Sequence, residues 1–280
     1  MKHRIFCVFL AAAVIALSAC SAFGEGVKLG LLSRAQTPVE ALRNFIREGG
    51  RLDNVVMWRL FGRNNNKYES LHYYDNLTSL IMALTAGEID EFVVPKVVAE
   101  YVINTNPDFV ICTAARMRLE TILAFGFRQE DGGELQKGFN AALADMKKYG
   151  ALANITRMYC ANPGGENISS VRFEDFPDAA TIRVAVTGDL PPVDYVSANG
   201  EPAGFNTAIL AEIGRRMKVN IKPVQVDTGA RTAALMSGRV DAVFWYQFVK
   251  GSAELSDVPE GVIVSEPYYE FDTMLHVGRK

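Results

Sequence analysis

Residues 182–206 read IRVAVTGDLPPVDYVSANGEPAGFN, and this stretch decides the fold class together with the residues after it. A short apolar run opens it, a loop rich in Gly and Pro comes next, and a helical pattern begins at its end. The alternation continues, so strands and helices are predicted in turn at Ile182–Thr187, Asn206–Met217, Ile221–Val226, Arg231–Met236 and Val240–Trp245. Strands that alternate with helices predict an α/β fold with largely parallel sheets.

The residues before this stretch show the same alternation. The predicted strands are Val27–Leu32, Ile89–Val94, Asp108–Cys112 and Thr121–Phe127. The predicted helices are residues 37–48, 76–86, 95–104, 135–148 and 152–159. The first of them has Thr37 as its N-cap, Pro38 as its first helical residue and Glu40 in the matching capping-box position. The sequence therefore predicts a second α/β unit.

A linker and an internal similarity divide the chain into two parts. Residues 161–180 contain Asn-Pro-Gly-Gly and Ser-Ser and predict a linker. On either side of it stand two similar joints, ALTAGEID at 83–90 and ALMSGRVD at 234–241. In each, a glycine is expected to end a helix in the left-handed conformation before an acidic residue enters a strand. One copy in each part indicates two similar lobes.

Residues 181–271 resemble the first lobe of the bacterial extracellular solute-binding proteins of family 3, the periplasmic amino-acid-binding type. The likeness rests on IRVAV at 182–186, PPVDY at 191–195, NG at 199–200, GFN at 204–206, ALMSGRVD at 234–241 and SEPYY at 265–269. These segments follow one another in the family's order and at its spacing. The resemblance implies the type II periplasmic-binding-protein fold, in which a ligand cleft lies between two α/β lobes.

Residues 27–160 resemble the second lobe and closing helices of the same family, although they come first in this chain. The likeness rests on residues 27–38, on the joint at 83–90, on FGFR at 125–128 and on residues 139–159. The predicted lobe order is therefore circularly permuted, which is permissible because the ends of a domain often lie close together at its surface. Two incomplete tandem copies are the alternative. The predicted division is a signal peptide at 1–19, a lipidated tether at 20–26, a second-lobe-like α/β domain at 27–127, closing helices that pack on the first lobe at 128–160, a linker at 161–180 and a first-lobe-like α/β domain at 181–280.

The N-terminus predicts export and a lipid anchor. Basic residues at positions 2–4 precede the uncharged apolar run Ile5–Leu17, which is shorter than the ~20 residues of a membrane-spanning helix. Residues 17–20 read LSAC and match a lipobox, so we expect cleavage before Cys20 and lipidation of that cysteine. The protein is then expected in the periplasm or at the cell surface. An ordinary signal peptide cut nearby, with Cys20 incidental, is the alternative.

Composition argues against several other functions. The net charge is −3 and both signs are scattered, so the sequence does not indicate a nucleic-acid partner. The three histidines are isolated and the sequence has neither a C-x-x-C motif nor a P-loop, so neither a metal site nor a cofactor is predicted. Cys112 and Cys160 are the cysteines outside the N-terminal segment. Export permits a disulfide between them, and the sequence leaves that pairing open.

The resemblance implies ligand contacts at strand ends and helix N-termini. The expected ligand-binding residues are Arg34, Gln36, Thr37, Pro95, Lys96, Asp189, Leu190, Tyr195, Thr228, Trp245, Tyr246 and Lys250. Phe244 and Trp245 alternate along a predicted strand, so only one of the two side chains is expected to face the cleft.

Several family determinants of α-amino-acid binding are replaced. The family grips the α-carboxylate with an Arg, but residues 246–258 contain none and Lys250 is their only cation. Pro95 stands where the family has the Asp that holds the α-amino group, and Leu190 and Thr228 stand where aromatic residues are expected. These differences favour a small polar or acidic ligand over an ordinary α-amino acid.

Three functions are compatible with this pattern. The first is capture of a small polar or acidic molecule by a monomer that delivers it to a membrane ABC permease. The second is a sensory or structural lipoprotein that keeps the two-lobed shape. The third is a dehydratase-like enzyme on the same scaffold, with Asp189, Asp194 or Glu266 as its acid. No paired acid and base emerge from the sequence, so no catalytic residue and no enzyme are predicted.

Overall fold

The computed structural model describes residues 26–32, 68–112, 121–161, 163–164, 170–197, 199–249, 258–271 and 273–280. The strands in these ranges are β1 Val27–Leu32, β2 Tyr68–Tyr74, β3 Glu91–Pro95, β4 Phe109–Ile111, β5 Thr121–Arg128, β6 Thr181–Val186, β7 Asp189–Leu190, β8 Asp194–Val196, β9 Pro202–Ala203, β10 Asn220–Gln225, β11 Ala242–Val249, β12 Val262–Val264, β13 Tyr269–Phe271 and β14 Met274–Arg279. The helices are α1 Leu77–Ala86, α2 Lys96–Thr105, α3 Gly133–Lys148, α4 Ala151–Cys160, α5 Phe205–Met217 and α6 Arg231–Met236. A 3-10 turn spans Thr228–Ala230.

The first sheet, sheet A, has the strand order β2-β1-β3-β14-β4. Strand β1 pairs in parallel with β2 and β3, whereas β14 is antiparallel to β3 and β4. At Gly30 in β1, a Cβ atom would lie 2.5 Å from Ile89 Cδ1 and 2.7 Å from Leu80 Cδ1. The absent side chain at Gly30 therefore lets helix α1 and the residues after it pack directly on the sheet.

The second sheet, sheet B, has the order β10-β6-β11-β5-β12, and β13 also pairs with β5. Strand β6 is parallel to β10 and β11, and β5 is antiparallel to β11. A three-stranded sheet, β7-β8-β9, comes after β6 in the chain. Helices α3 and α4 pack against each other and against α5, so the helices that precede the predicted linker cover the sheet that comes after it.

The chain passes between the two sheets twice. It leaves sheet A after β4 and enters sheet B with β5, and it returns from β13 in sheet B to β14 in sheet A. The domain boundary that the sequence suggests after residue 127 therefore falls earlier, between residues 112 and 121. Likewise, residues 274–279 pair with the N-terminal sheet and not with the sheet that precedes them. Both shifts have the same cause, since each strand is fixed by pairing with partners that are distant in sequence.

One buried cluster extends across both sheets. It includes Leu80 and Phe92 beside sheet A, and Phe127, Phe139 and Ile209 beside sheet B. Cys112 and Cys160 are both half-buried thiols and are not joined in a disulfide. In the ranges that the structure describes, no helix combines the length and the apolar character needed to span a membrane.

Candidate functional site

The parallel strands of both sheets end at, or shortly before, residues that the sequence predicts to contact a ligand. In sheet A, β3 ends at Pro95. In sheet B, β6 and β10 end at Val186 and Gln225. The carboxyl ends of parallel strands, with the loops attached to them, are where α/β proteins bind ligands. We call these strand ends and their loops the carboxyl edges of the two sheets.

The carboxyl edge of sheet A is formed by Pro95 and Lys96. Pro95 is buried and offers no side-chain hydrogen bond as the N-cap of α2. The backbone N–H of Lys96 donates to the Thr273 carbonyl oxygen at 2.9 Å, which ties the end of β3 to the second crossover. Its Nζ lies 3.7 Å from Glu100 Oε1, and the side chain is 56% exposed. The Lys96 ammonium therefore remains accessible to an anionic ligand.

The carboxyl edge of sheet B begins with the β7–β8 hairpin, in which Asp189 lies opposite Tyr195 and Leu190 opposite Asp194. Asp194 is 2% exposed. Its Oδ2 accepts hydrogen bonds from Thr187 N at 2.8 Å, Thr187 Oγ1 at 2.6 Å and Gly188 N at 2.7 Å. Burial raises the pKa of this carboxyl to about 6. The three hydrogen bonds act in the opposite direction, but their effect on the pKa is smaller than that of burial. Asp194 thus fixes the turn after β6, which holds Asp189 and Leu190 in place.

The two sheets approach each other at this hairpin. Helix α1, which packs on sheet A, contacts β7. Burial raises the pKa of Tyr195 to about 12, and Tyr101 of α2 and Tyr159 of α4 add to the shift. Beside them, Asn104 Nδ2 donates to the Pro163 carbonyl oxygen at 2.7 Å. Residues attached to both sheets therefore meet along one side of the molecule.

Trp245 and Tyr246 are both buried, and a β-bulge changes the direction of their side chains. Val243 pairs with Gly126 and Tyr246 with Ala124, so β11 has one residue more than β5 between these pairs. The rings of Phe244 and Trp245 stack at 5.6 Å, whereas the Tyr246 hydroxyl lies 2.8 Å from Thr232 Oγ1. The expectation of simple alternation at Phe244 and Trp245 is therefore wrong, because the bulge interrupts the period of two.

Arg231 is a cation at this edge that the family's binding positions do not indicate. It opens α6 directly after the 3-10 turn and is 5% exposed. Its Nη1 donates to the Trp245 carbonyl oxygen at 2.9 Å, and its guanidinium lies 4.8 Å from the centre of the Tyr246 ring. The signal was present in the sequence, because Arg231 lies on the same helix face as the buried Ala234 and Leu235.

Tyr268 completes this buried polar region of sheet B. Its hydroxyl donates to the Phe244 carbonyl oxygen at 2.9 Å, and the residue is 3% exposed. Burial raises the pKa of Tyr268 well above its usual value, with Asp194 adding to the shift and Arg231 opposing it. The charges of Asp194 and Arg231 therefore both lie near enough to Tyr268 to affect the titration of its hydroxyl.

Several expected ligand contacts cannot be placed against this geometry. Arg34, Gln36, Thr37, Lys250 and the lipidation site Cys20 lie outside the described residues. Thr228 lies in the 3-10 turn before α6, at the carboxyl edge of sheet B. Leu190 is buried in the same cluster as Trp245. The structure thus brings Asp189, Leu190, Tyr195 and the backbone of Thr228 to one edge and Pro95 with Lys96 to the other.

Residues 182–258 match the family model of bacterial extracellular solute-binding proteins, family 3. This match confirms the resemblance predicted from the motifs in that part of the chain. The two α/β sheets of the described residues agree with the two-lobed fold that this resemblance implies. No curated protein matches the chain.

Solved structures with a similar arrangement include transport proteins. The ligand-binding component of an ABC-type import system from Staphylococcus aureus, with zinc bound, is 12% identical at a TM-score of 0.43 over 91% of this chain. The periplasmic aliphatic sulphonate binding protein SsuA from Escherichia coli is 13% identical at a TM-score of 0.38 over 92% of this chain. This chain spans 66% and 62% of the lengths of those two proteins.

Proposed function

We propose that this protein captures a small polar or acidic solute between its two lobes and delivers it to an ABC importer. The family match over residues 182–258 supports the binding role. The observation that carries the proposal is the pair of carboxyl edges, one in each sheet, in a chain that crosses twice between the sheets. Two crossovers provide a hinge about which such lobes close on a ligand.

The charged groups at these edges favour an acidic ligand. Lys96 presents an exposed ammonium in one lobe, and Arg231 places a guanidinium behind the edge of the other. On the sheet A side, the position that would hold an α-amino group is the buried Pro95, which has no polar side-chain atom. Losing one charge-assisted contact in a desolvated cleft costs about 2–4 kcal/mol, or about 1.5–3 decades in affinity. Carboxylates and small amides are therefore better candidates than ordinary α-amino acids.

A thermal-shift screen of amino acids beside their deaminated analogues tests this ligand class. We expect a carboxylate without an amine to raise the melting temperature by several degrees and Lys96→Gln to reduce that rise. Lys222→Gln is the matched control. Lys222 is an exposed lysine in β10, a strand of sheet B, whereas Pro95 and Lys96 lie at the edge of sheet A. Stabilisation by one proteinogenic amino acid, lost with its deaminated analogue, would show that the cleft holds an α-amino group after all.

Export and anchoring through Cys20 form a second part of the proposal, supported by the lipobox at residues 17–20. We expect Cys20→Ser, or treatment with globomycin, to leave unprocessed or soluble protein. Unchanged membrane fractionation of the Cys20→Ser variant would contradict a lipid anchor.

We also infer that the lobe order is circularly permuted relative to the family. The sheet topology supports this inference, because β5 lies beside β11 in the sheet of the C-terminal part. At the other end, Leu29 of β1 and Gly278 of β14 both pair with Glu91 of β3. The start of β1 and the end of β14 therefore lie at the same end of sheet A, about 10 Å apart across one strand.

A sensory or structural role is the second candidate. Two contacts favour it: helix α1 on sheet A contacts β7 of the hairpin, and Asn104 Nδ2 of α2 donates to the Pro163 carbonyl oxygen in the predicted linker. Contacts of this kind restrain the movement of one lobe against the other. Genes for a permease and an ATPase beside this one favour the transport role. Their absence, together with no response to any solute in the thermal-shift screen, would favour the second candidate.

A further inference from the structure

Residues 161–180, which the sequence predicts to be a linker, touch both lobes. The segment follows α4, which packs against α3 and α5 on the sheet B side. Pro163 and Gly164 lie against α2, a helix of the sheet A lobe. Residues 171–180 then lie against sheet B again. The chain therefore leaves one lobe, touches the other and returns to the first.

The later part of the segment is fixed to the sheet B lobe. Asn220, at the start of β10, accepts a hydrogen bond from Phe176 N at 2.8 Å and donates from Nδ2 to the Phe176 carbonyl oxygen at 3.0 Å. The Val171 N–H donates to the carbonyl oxygen of Pro202 in β9 at 3.2 Å. Since the chain is held by the same lobe before and after Pro163, the contact of Pro163 with α2 ties one lobe to the other.

Pro163 and Gly164 pack on the last turn of α2. Asn104 Nδ2 donates to the Pro163 carbonyl oxygen at 2.7 Å, and Pro163 is buried. Gly164 has a φ of +83°, and a Cβ atom there would lie 3.3 Å from Asn104 Cβ and 3.4 Å from Thr105 Cγ2. A side chain at this position would therefore strain the backbone and press against the helix. We call the contact of Pro163 and Gly164 with the end of α2 the latch.

The latch lies far enough from the second crossover to respond to a rotation of the lobes. The crossover is tied to the start of α2, where Lys96 N donates to the Thr273 carbonyl oxygen. Asn104 lies eight residues further along the helix, or about 12 Å at a rise of 1.5 Å per residue. A rotation of about 10° about an axis through the crossover and across α2 moves the end of the helix by about 2 Å. A hydrogen bond of this length tolerates a stretch of only about 0.5 Å.

We propose that the latch holds the two lobes in the arrangement seen in this structure and must release before they rotate about the crossovers. The inference rests on the proposed movement of the lobes but not on the identity of a ligand. Loss of one hydrogen bond of this kind typically changes an equilibrium about fivefold. The apparent affinity for a solute is scaled by the fraction of molecules in the state that binds it, so the latch sets how readily the cleft is used.

The test measures the distance between the lobes by double electron–electron resonance on the full exported chain. Spin labels are attached to a ketone-bearing amino acid at Met82 in α1 and at Tyr149 after α3, two exposed positions outside the latch. The native thiols then need not be changed. We expect one distance population in the chain with its latch intact. In the variant that combines Asn104→Ala and Gly164→Ala, we expect a second population of at least about a tenth of the total, because each substitution weakens the latch about fivefold.

The matched control combines Asn154→Ala and Gly200→Ala. Asn154 is an exposed asparagine of α4 whose side chain accepts from Arg157 of the same helix. Gly200 has a φ of +77° and nothing within 4 Å of its Cβ position, so the backbone strain is matched without a contact. A second population in the latch variant and not in the control supports the proposal. An unchanged distribution in the latch variant, or the same second population in the control, overturns it.

Folding and ligand binding are separated from this readout. If the combined variant loses its cooperative thermal transition, Asn104→Ala is measured alone, since that residue is exposed, and an unchanged distribution again overturns the latch. The distance measurement needs no solute. Unchanged distances therefore leave the proposed solute capture standing, and a failed solute screen leaves the latch standing.

Discussion

Asp194 shows how a single residue can shape the edge of the site at a cost in stability. Its carboxylate organises the turn after β6 through three donors, yet it lies almost completely out of contact with water. Desolvation outweighs the three hydrogen bonds, because the pKa is raised and not lowered. At neutral pH the ionised group therefore supports local geometry while it opposes folding.

This balance predicts a pH dependence. The pKa of Asp194 is higher in the folded protein, about 6, than its ordinary value of 3.8, so the folded state binds the proton more tightly. Its ionisation then lowers the free energy of unfolding at pH 7 by about 3 kcal/mol, and stability is regained as the pH falls through 6 toward 4. We expect the free energy of unfolding of Asp194→Asn, measured by urea denaturation, to lack this gain between pH 7 and pH 4. A difference between wild type and variant that stays constant from pH 7 to 4.5 would contradict it, and Glu201→Gln, exposed in a loop, is the control.

Gly204 is a second residue with a defined structural requirement. Its φ is +108°, and a Cβ atom there would lie 2.7 Å from the Val193 carbonyl oxygen and 2.9 Å from that of Pro192. These carbonyls accept hydrogen bonds from Asn206 N and Phe205 N at the start of α5, so they are not free to move. Gly204→Ala is expected to reduce the free energy of unfolding by about 2 kcal/mol or more. Gly133→Ala, where the Cβ meets nothing within 4 Å, should be neutral or slightly stabilising in the same assay.

At the scale of elements, Arg128 joins β5 to α6 and β11. Its Nη1 donates to the carbonyl oxygens of Leu235 at 2.9 Å and Val240 at 3.0 Å. Its Nε and Nη2 form a two-pronged contact with Asp131 at 2.7 and 2.8 Å. The Arg128 side chain thus binds a carbonyl oxygen near the end of α6 and another just before β11. Arg128 itself belongs to β5, which precedes the predicted linker, whereas both carbonyls follow it.

Arg128→Lys is expected to lower the free energy of unfolding by about 1–2 kcal/mol, because an ammonium cannot serve all these acceptors in one plane. The measurement is urea denaturation followed by circular dichroism. Arg215→Lys is the comparison, since Arg215 is half exposed and its side-chain hydrogen bonds within the described ranges go to Glu212 of its own helix. It should change stability by less than about 0.5 kcal/mol. Equal effects of the two substitutions would argue that Arg128 is only a surface ion pair.

The sequence predicted the elements whose signals are local. Helix α6 begins and ends at the predicted residues, and β6 and β10 are shifted by one residue. Strand β11 begins at Ala242 and not at Val240, and Asp241 just before it binds the Arg183 backbone N–H and guanidinium through its carboxylate. Strands β2 and β14 were not predicted, since their pairing partners lie far away in the sequence.

The candidate site was predicted less completely than the elements. Asp189, Leu190 and Pro95 lie at the carboxyl edges, and their contact with a ligand stays a prediction. Arg231 was not predicted, because the family places its cation elsewhere and a buried helix face usually carries apolar residues. The orientation of Trp245 was also not predictable, since nothing in the local pattern indicates the extra residue in β11.

At the scale of the whole molecule, the inferred permutation can be reversed. We expect a chain that runs from residue 170 to 280, continues through a Gly/Ser linker of about six residues, and then runs from 27 to 161, to fold. The reason is that the start of β1 and the end of β14 lie at the same end of sheet A. A single cooperative thermal transition close to that of the natural order is the expected result. The control chain has the same Gly/Ser linker but begins at residue 246 and ends at residue 245, which breaks the central strand β11, so it should not fold. If the control folded and the first chain did not, the inference would be contradicted.

The position of β14 has a consequence for the timing of folding. Sheet A is built mostly from the first part of the chain, yet the strand between β3 and β4 consists of residues 274–279. Until residues 274–279 are in place, β3 and β4 have no common neighbour in the sheet, although β2, β1 and β3 can pair without them. Completion of sheet A therefore depends on a contact between residues about 180 positions apart in sequence, which is a slow kind of contact to form. Sheet A is for that reason expected to become fully ordered only after sheet B, from which the chain returns to supply β14.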